Sequence, residues 1–156
     1  MIDEVFQERT ILLFGHVAAA IALIGPLTSA SSRFPAVIAS GATDRAEAVP
    51  VAAELHRTTR AYGTASIVVP VIGLVLTARG DLWSATWIHL SLGLLGVGGG
   101  LLFGVVIPQQ ATLLDRLWSG RGDPIGPRDV ARLRGATGLL ALSWVLIVLL
   151  MIAKPS

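Results

Sequence analysis

The sequence predicts an all-α integral membrane protein: a single up-and-down bundle of four spanning helices, with an interfacial amphipathic helix after the third span. Three observations predict it. Only 14% of the 156 residues are charged and 53% are hydrophobic, where soluble domains carry about one quarter charged residues; the mean hydropathy is +0.72. Trp83 to Ile107 is a run of 25 residues without Asp, Glu, Lys or Arg. At ~1.5 Å per residue such a run crosses a ~30 Å hydrocarbon layer with some tilt. Finally, most of the arginines flank apolar runs, as residues that orient a protein in a bilayer do.

Met1 to Arg9 is polar and acidic, with Asp3, Glu4 and Glu8 ahead of the first apolar run. A secretory signal starts positive and has a shorter core, so residues 10–30 read as a retained first span despite the small residues around Thr28-Ser29-Ala30. Gly25-Pro26 is expected to bend or thin its last turn. Residues 31–60 are the longest polar stretch, read as a loop followed by a helix that starts near Val49, with Pro50 in its first turn. The second span covers about residues 61–78 and is expected to kink at Pro70. Arg79-Gly80-Asp81 then makes a very short turn that should leave spans two and three as antiparallel neighbours.

The third span is residues 83–107. Pro108 interrupts it, and QQATLLDRLW continues with Leu113, Leu114, Leu117 and Trp118 near one side, either lying at the interface or extending the span. Gly120 to Gly126 is a loop, Pro127 opens the last helix, and the fourth span is residues 136–153. The chain therefore reads as one transmembrane domain over residues 1–156. Of the twelve basic residues, nine lie after spans one and three, and only Arg9, Arg79 and Lys154 lie on the other side. The positive-inside bias then puts both long loops in the cytoplasm and both termini outward, in a cell (inner) membrane. The same clustering argues against nucleic acid as a partner. With no Cys, disulfides and thiol chemistry are excluded.

The candidate site residues are histidines, arginines and glycines. His16 lies six residues after Thr10 and His89 six after Trp83, so the two imidazoles sit at one depth, roughly 9 Å in at ~1.5 Å per residue. Two neutral imidazoles on diagonal helices suit the two sides of a haem b iron, with Arg9 and Arg79 placed to receive the propionates. The competing reading makes each histidine an interhelical hydrogen-bond partner, a contact of roughly 0.6 to 2 kcal/mol. A proton or substrate pathway is a third. Two histidines without further ligands make a poor zinc site. Gly96, Gly100 and Gly104 recur every fourth residue and form a helix-packing face, within the chain or between chains. His56 is expected on a solvated helix face, where Glu54 and Arg57 are spaced to pair.

The layout, with a His early in span one followed nine residues later by Gly, as in GHVAAAIALIG, resembles an uncharacterised (DUF) family of small four-span bacterial integral membrane proteins. More distantly it resembles the CopD copper-resistance and HemJ-type membrane proteins. Such families commonly carry Trp seven residues after that His; here the residue is Leu23. The HemJ resemblance implies that His16 serves haem.

The residues thus lead to a small multi-pass inner-membrane protein, structural or accessory to a larger membrane assembly or homo-oligomer. It has the lipid bilayer as its surroundings and no catalytic chemistry of its own. The alternative is a b-type haem protein with His16 and His89 axial, acting in electron transfer or porphyrin oxidation.

Overall fold

The computed structural model describes residues 2–41 and 43–154, with side chains from Gln7 onward. The side chains of Asp3 and Glu4, and residues Pro155 and Ser156, lie outside the described residues. Among the described residues every regular element is a helix: α1 (Ile2–Ser40), α2 (Arg45–Ala65), α3 (Val68–Arg79), α4 (Thr86–Leu101), a π-helical turn (Leu102–Val106), α5 (Ile107–Ser119) and α6 (Pro127–Ala153). Four continuous stretches are long and apolar enough to cross a membrane: Gln7–Ser40, Arg45–Arg79, Thr86–Ser119 and Pro127–Ala153. The four-span, all-α expectation is met, and each of the four stretches is longer than the span read from hydropathy.

The first helix carries the largest difference. Its 39 residues make a rod of about 58 Å at ~1.5 Å per residue, nearly twice the ~30 Å apolar layer. Ser31 to Ser40, expected in a loop, is its last ten residues, and Gly25-Pro26 sits mid-helix. Packing is the reason: Leu27, Ala30, Phe34 and Ile38 fall on one face and are buried, so the helix is held directly after Pro26 and on both sides of Pro35. Likewise α2 starts at Arg45 rather than near Val49. Asp44 caps it, its Oδ1 accepting from the Glu47 N–H at 3.1 Å, which satisfies one of the free donors of the first turn. Ala48, Ala52, Leu55, Thr59 and Gly63 then line one buried face.

Pro70 kinks the second stretch, as expected. The break falls at Ser66–Ile67, between α2 and α3. Ser66 is four residues before Pro70, and its carbonyl is the one that a proline N–H cannot serve and a proline ring crowds. Ser66 turns inward instead, its N–H donating to Tyr62 O at 2.8 Å and its hydroxyl to Gly63 O at 2.8 Å.

The third stretch answers its own proline differently. Pro108 would press on the Gly104 carbonyl in a regular helix; the π turn immediately before it widens the backbone there, with the Ile107 N–H reaching Leu102 O. Local π adjustment is a known way for membrane helices to absorb proline. Because the turn does not end the helix, α5 extends the third span rather than lying separately at the interface. Its apolar face is occupied: Gln110, Leu113 and Leu117 are buried where α5 packs on α2 and α1.

The principal core lies toward the arginine-rich end. Leu27, Phe34 and Ile38 of α1 meet Ala52 and Leu55 of α2, Leu102 and Val106 of the π turn, Leu113 and Leu117 of α5, and Leu133 and Leu140 of α6. At the other end the helices pair separately, α3 on α1 and α4 on α6. Spans two and three are neighbours, as expected, but they pack where α2 meets α5 and not beside their short connection. That connection, residues 80–85, contains Asp81 at φ 51° and a Leu82 N–H to Thr77 O bond of 3.1 Å. It spreads the two helix ends instead of clasping them.

Candidate functional site

Helix α4 presents two opposite faces. Toward α6, Ile88, Ser91 and Gly98 are buried, and a Cβ built on Gly98 would lie 3.0 Å from Ser143 Oγ and 3.6 Å from the Trp144 ring. Gly98 is thus the glycine at which α6 approaches α4 closely. At 100° per residue, Gly93, Gly96 and Gly100 lie about 140° to 160° around the helix from Gly98. Gly93, Gly96, Gly100 and, past the π turn, Gly104 are all exposed, with nothing within 4 Å of the Cβ that each lacks. The glycine face is therefore uncovered within this chain.

His89 stands on that uncovered face. It is exposed, and its Nδ1 approaches its own helix at Ala85 O, 3.2 Å away. His16 is in a different setting. It is 8% exposed and lies against α3, its Cε1 3.1 Å from where a Gly73 side chain would begin. Gly73 is what admits the ring. His16 Nδ1 is buried without a hydrogen-bond partner. The two imidazoles have different surroundings: one is enclosed between α1 and α3, the other is exposed on α4.

The two expected propionate partners lie at the same end, Arg79 pairing with the residue that precedes Arg9. Arg79 Nη1 pairs with Glu8 Oε2 at 2.8 Å across the end of the bundle, and Arg9 is exposed. The described residues contain no group of three or more His, Cys, Asp and Glu side chains able to hold a metal ion.

His56, expected on a solvated face, is half-buried. Its Nδ1 lies 3.2 Å from Gln110 Oε1, joining α2 to α5, while Gln110 itself is 0% exposed and its Nε2 has no partner. The reason is the continuation of α5 onto α2. Glu54 and Arg57 do pair, at 3.2 Å on the exposed side. Gln110 escaped the reading of candidate residues, although its spacing to Leu113 and Leu117, three and seven residues on, was a signal that it shares their buried face.

No curated protein and no solved structure matches the chain. A family model does, over residues 10–155, which take in all four spanning stretches almost completely. The CopD and HemJ likenesses are not among the matches. The chain belongs to the DUF2269 family of predicted integral membrane proteins.

Proposed function

We propose that the protein is a structural or accessory component of a larger membrane assembly, and that it associates with a second copy of itself through the glycine face of α4. The observation that carries this reading is the uncovered stripe of Gly93, Gly96, Gly100 and Gly104. Glycine in a helix interior costs roughly 0.5–1 kcal/mol relative to alanine, and an uncovered stripe returns nothing for that cost. In lipid the return comes from close backbone approach, where small residues allow dense van der Waals contact. His89, on the same stripe, would then donate across the interface rather than face hydrocarbon. The arginine distribution supports an inner-membrane setting with the arginine-rich end in the cytoplasm.

Because the chain has no cysteine, one can be introduced as a reporter. Gly93→Cys should give an oxidative crosslink in membranes, and Val71→Cys, on the exposed surface of α3, should not. Adding Gly100→Leu should abolish the Gly93→Cys crosslink while the monomer stays folded, since the position is open within the chain. An undiminished crosslink in the double variant rules out association through this face.

A further inference from the structure

At the arginine-rich end, the ends of α1 and α5, the start of α2, the 120–126 loop and the first turns of α6 enclose a cavity of about 670 Å³. Its floor is apolar, formed by Ile38, Leu117, Ile125 and Val130, while its walls carry four guanidinium groups, of Arg45, Arg116, Arg121 and Arg134, against one carboxylate, Asp123.

The four arginines divide into two that build the wall and two that are left over. Arg116 holds the loop: its Nε and Nη2 donate to Asp123 O at 3.1 and 2.6 Å, and Nη2 also reaches Pro124 O at 3.1 Å and Asp129 Oδ2 at 3.4 Å. Arg45 holds the end of α5, its Nη2 donating to Trp118 O at 2.8 Å. The Arg45 head lies where a side chain on Gly120 would begin, 2.6 Å from its Nη1, and Gly120 has a φ of 64°. The positive φ favours glycine there, while the Arg45 head, the end of a flexible side chain, can move aside. Arg121 and Arg134 face the cavity, and among the described residues neither side chain makes a hydrogen bond or ion pair.

Two unpaired, solvent-exposed guanidinium groups added to two committed ones make this rim positively charged and attractive to an anion. The planar fork of arginine matches phosphate oxygens two at a time. The apolar floor receives hydrocarbon but does nothing for a small hydrated ion. We propose that this cavity binds a phosphate group carried on an apolar body, with Arg121 and Arg134 as the phosphate contacts. The chemistry is that of an anionic phospholipid headgroup with the start of its acyl chains, or of a soluble phosphate ester; the floor favours the lipid.

Full-length protein in detergent can be tested by native mass spectrometry against dioleoylphosphatidylglycerol and dioleoylphosphatidylcholine, with glycerol 3-phosphate as competitor. The wild type should retain the anionic lipid in preference to the zwitterionic one. Arg121→Ala with Arg134→Ala should weaken that retention roughly 25-fold, at about fivefold per basic residue. Arg57→Ala with Arg60→Ala, exposed on α2 and outside the cavity, should leave it unchanged. Displacement of the lipid by glycerol 3-phosphate would assign the site to soluble esters of the same chemistry; persistence would assign it to the lipid. Equal retention of the two lipids, or equal weakening by the two double variants, would overturn the proposal in favour of a diffuse basic surface.

Discussion

His56 and Arg57 are adjacent in sequence and make contacts of very different worth. The Arg57–Glu54 pair has both side chains largely in solvent, 78% and 63% exposed, where such pairs contribute about 0–1 kcal/mol. His56 bonds the only partnered atom of a fully buried amide, Gln110. His56→Ala removes that bond and leaves the whole Gln110 side chain unsatisfied, a cost of about 1–3 kcal/mol. Denaturant unfolding in detergent should therefore show His56→Ala clearly less stable than Arg57→Ala; equal midpoints would show that the Gln110 amide finds another partner. The Glu54–Arg57 pair could be read from a spacing of three residues. The His56 contact joins positions 54 residues apart, and no local pattern on α2 announces it.

Among the helices, five prolines inside apolar or helical stretches meet three different fates. Pro70 divides α2 from α3, Pro108 is preceded by a π turn, and Pro26, Pro35 and Pro50 sit within continuous helices, the first two in α1 and the third in α2. The kink at Pro70 was legible because a missing N–H and a crowding ring are properties of the residue. Which adjustment follows depends on the neighbours that hold the flanking turns, and these are not local. The π turn has a testable consequence. Deleting Phe103, an exposed residue in it, would close it to a regular turn and return the Pro108 ring to the Gly104 carbonyl, costing about 3 kcal/mol. Combining the deletion with Pro108→Ala should recover most of that loss, again measured by unfolding in detergent. A deletion that costs the same with alanine at 108 would mean that the extra residue serves packing rather than the proline.

For the molecule as a whole, the bundle is asymmetric along its axis. Its principal core and its arginine cavity share one end, and at the other the helices pair two by two. Nine of twelve basic residues accompany the tightly packed end, which the positive-inside bias assigns to the cytoplasm. A C-terminal alkaline phosphatase fusion should accordingly be active and a C-terminal green fluorescent protein fusion dark in the same cells. The reverse pair of results would invert the orientation, and with it the leaflet that supplies any phosphate ligand to the cavity.

The sequence by itself determined the solvent, the number of crossings and the helical class, because these follow from runs of uncharged residues and from the need of every backbone group in lipid to bond within its own segment. It also determined that α4 carries a bare glycine face, since a four-residue repeat is a property of one helix. Only the tertiary structure decided what each face meets. Gly98 takes α6 while Gly100 takes nothing, His16 is enclosed by α3 while His89 is not, and an expected interfacial helix continues the third span. Such outcomes depend on contacts between residues far apart in the chain, where packing on neighbouring helices outweighs the local preference of any one segment.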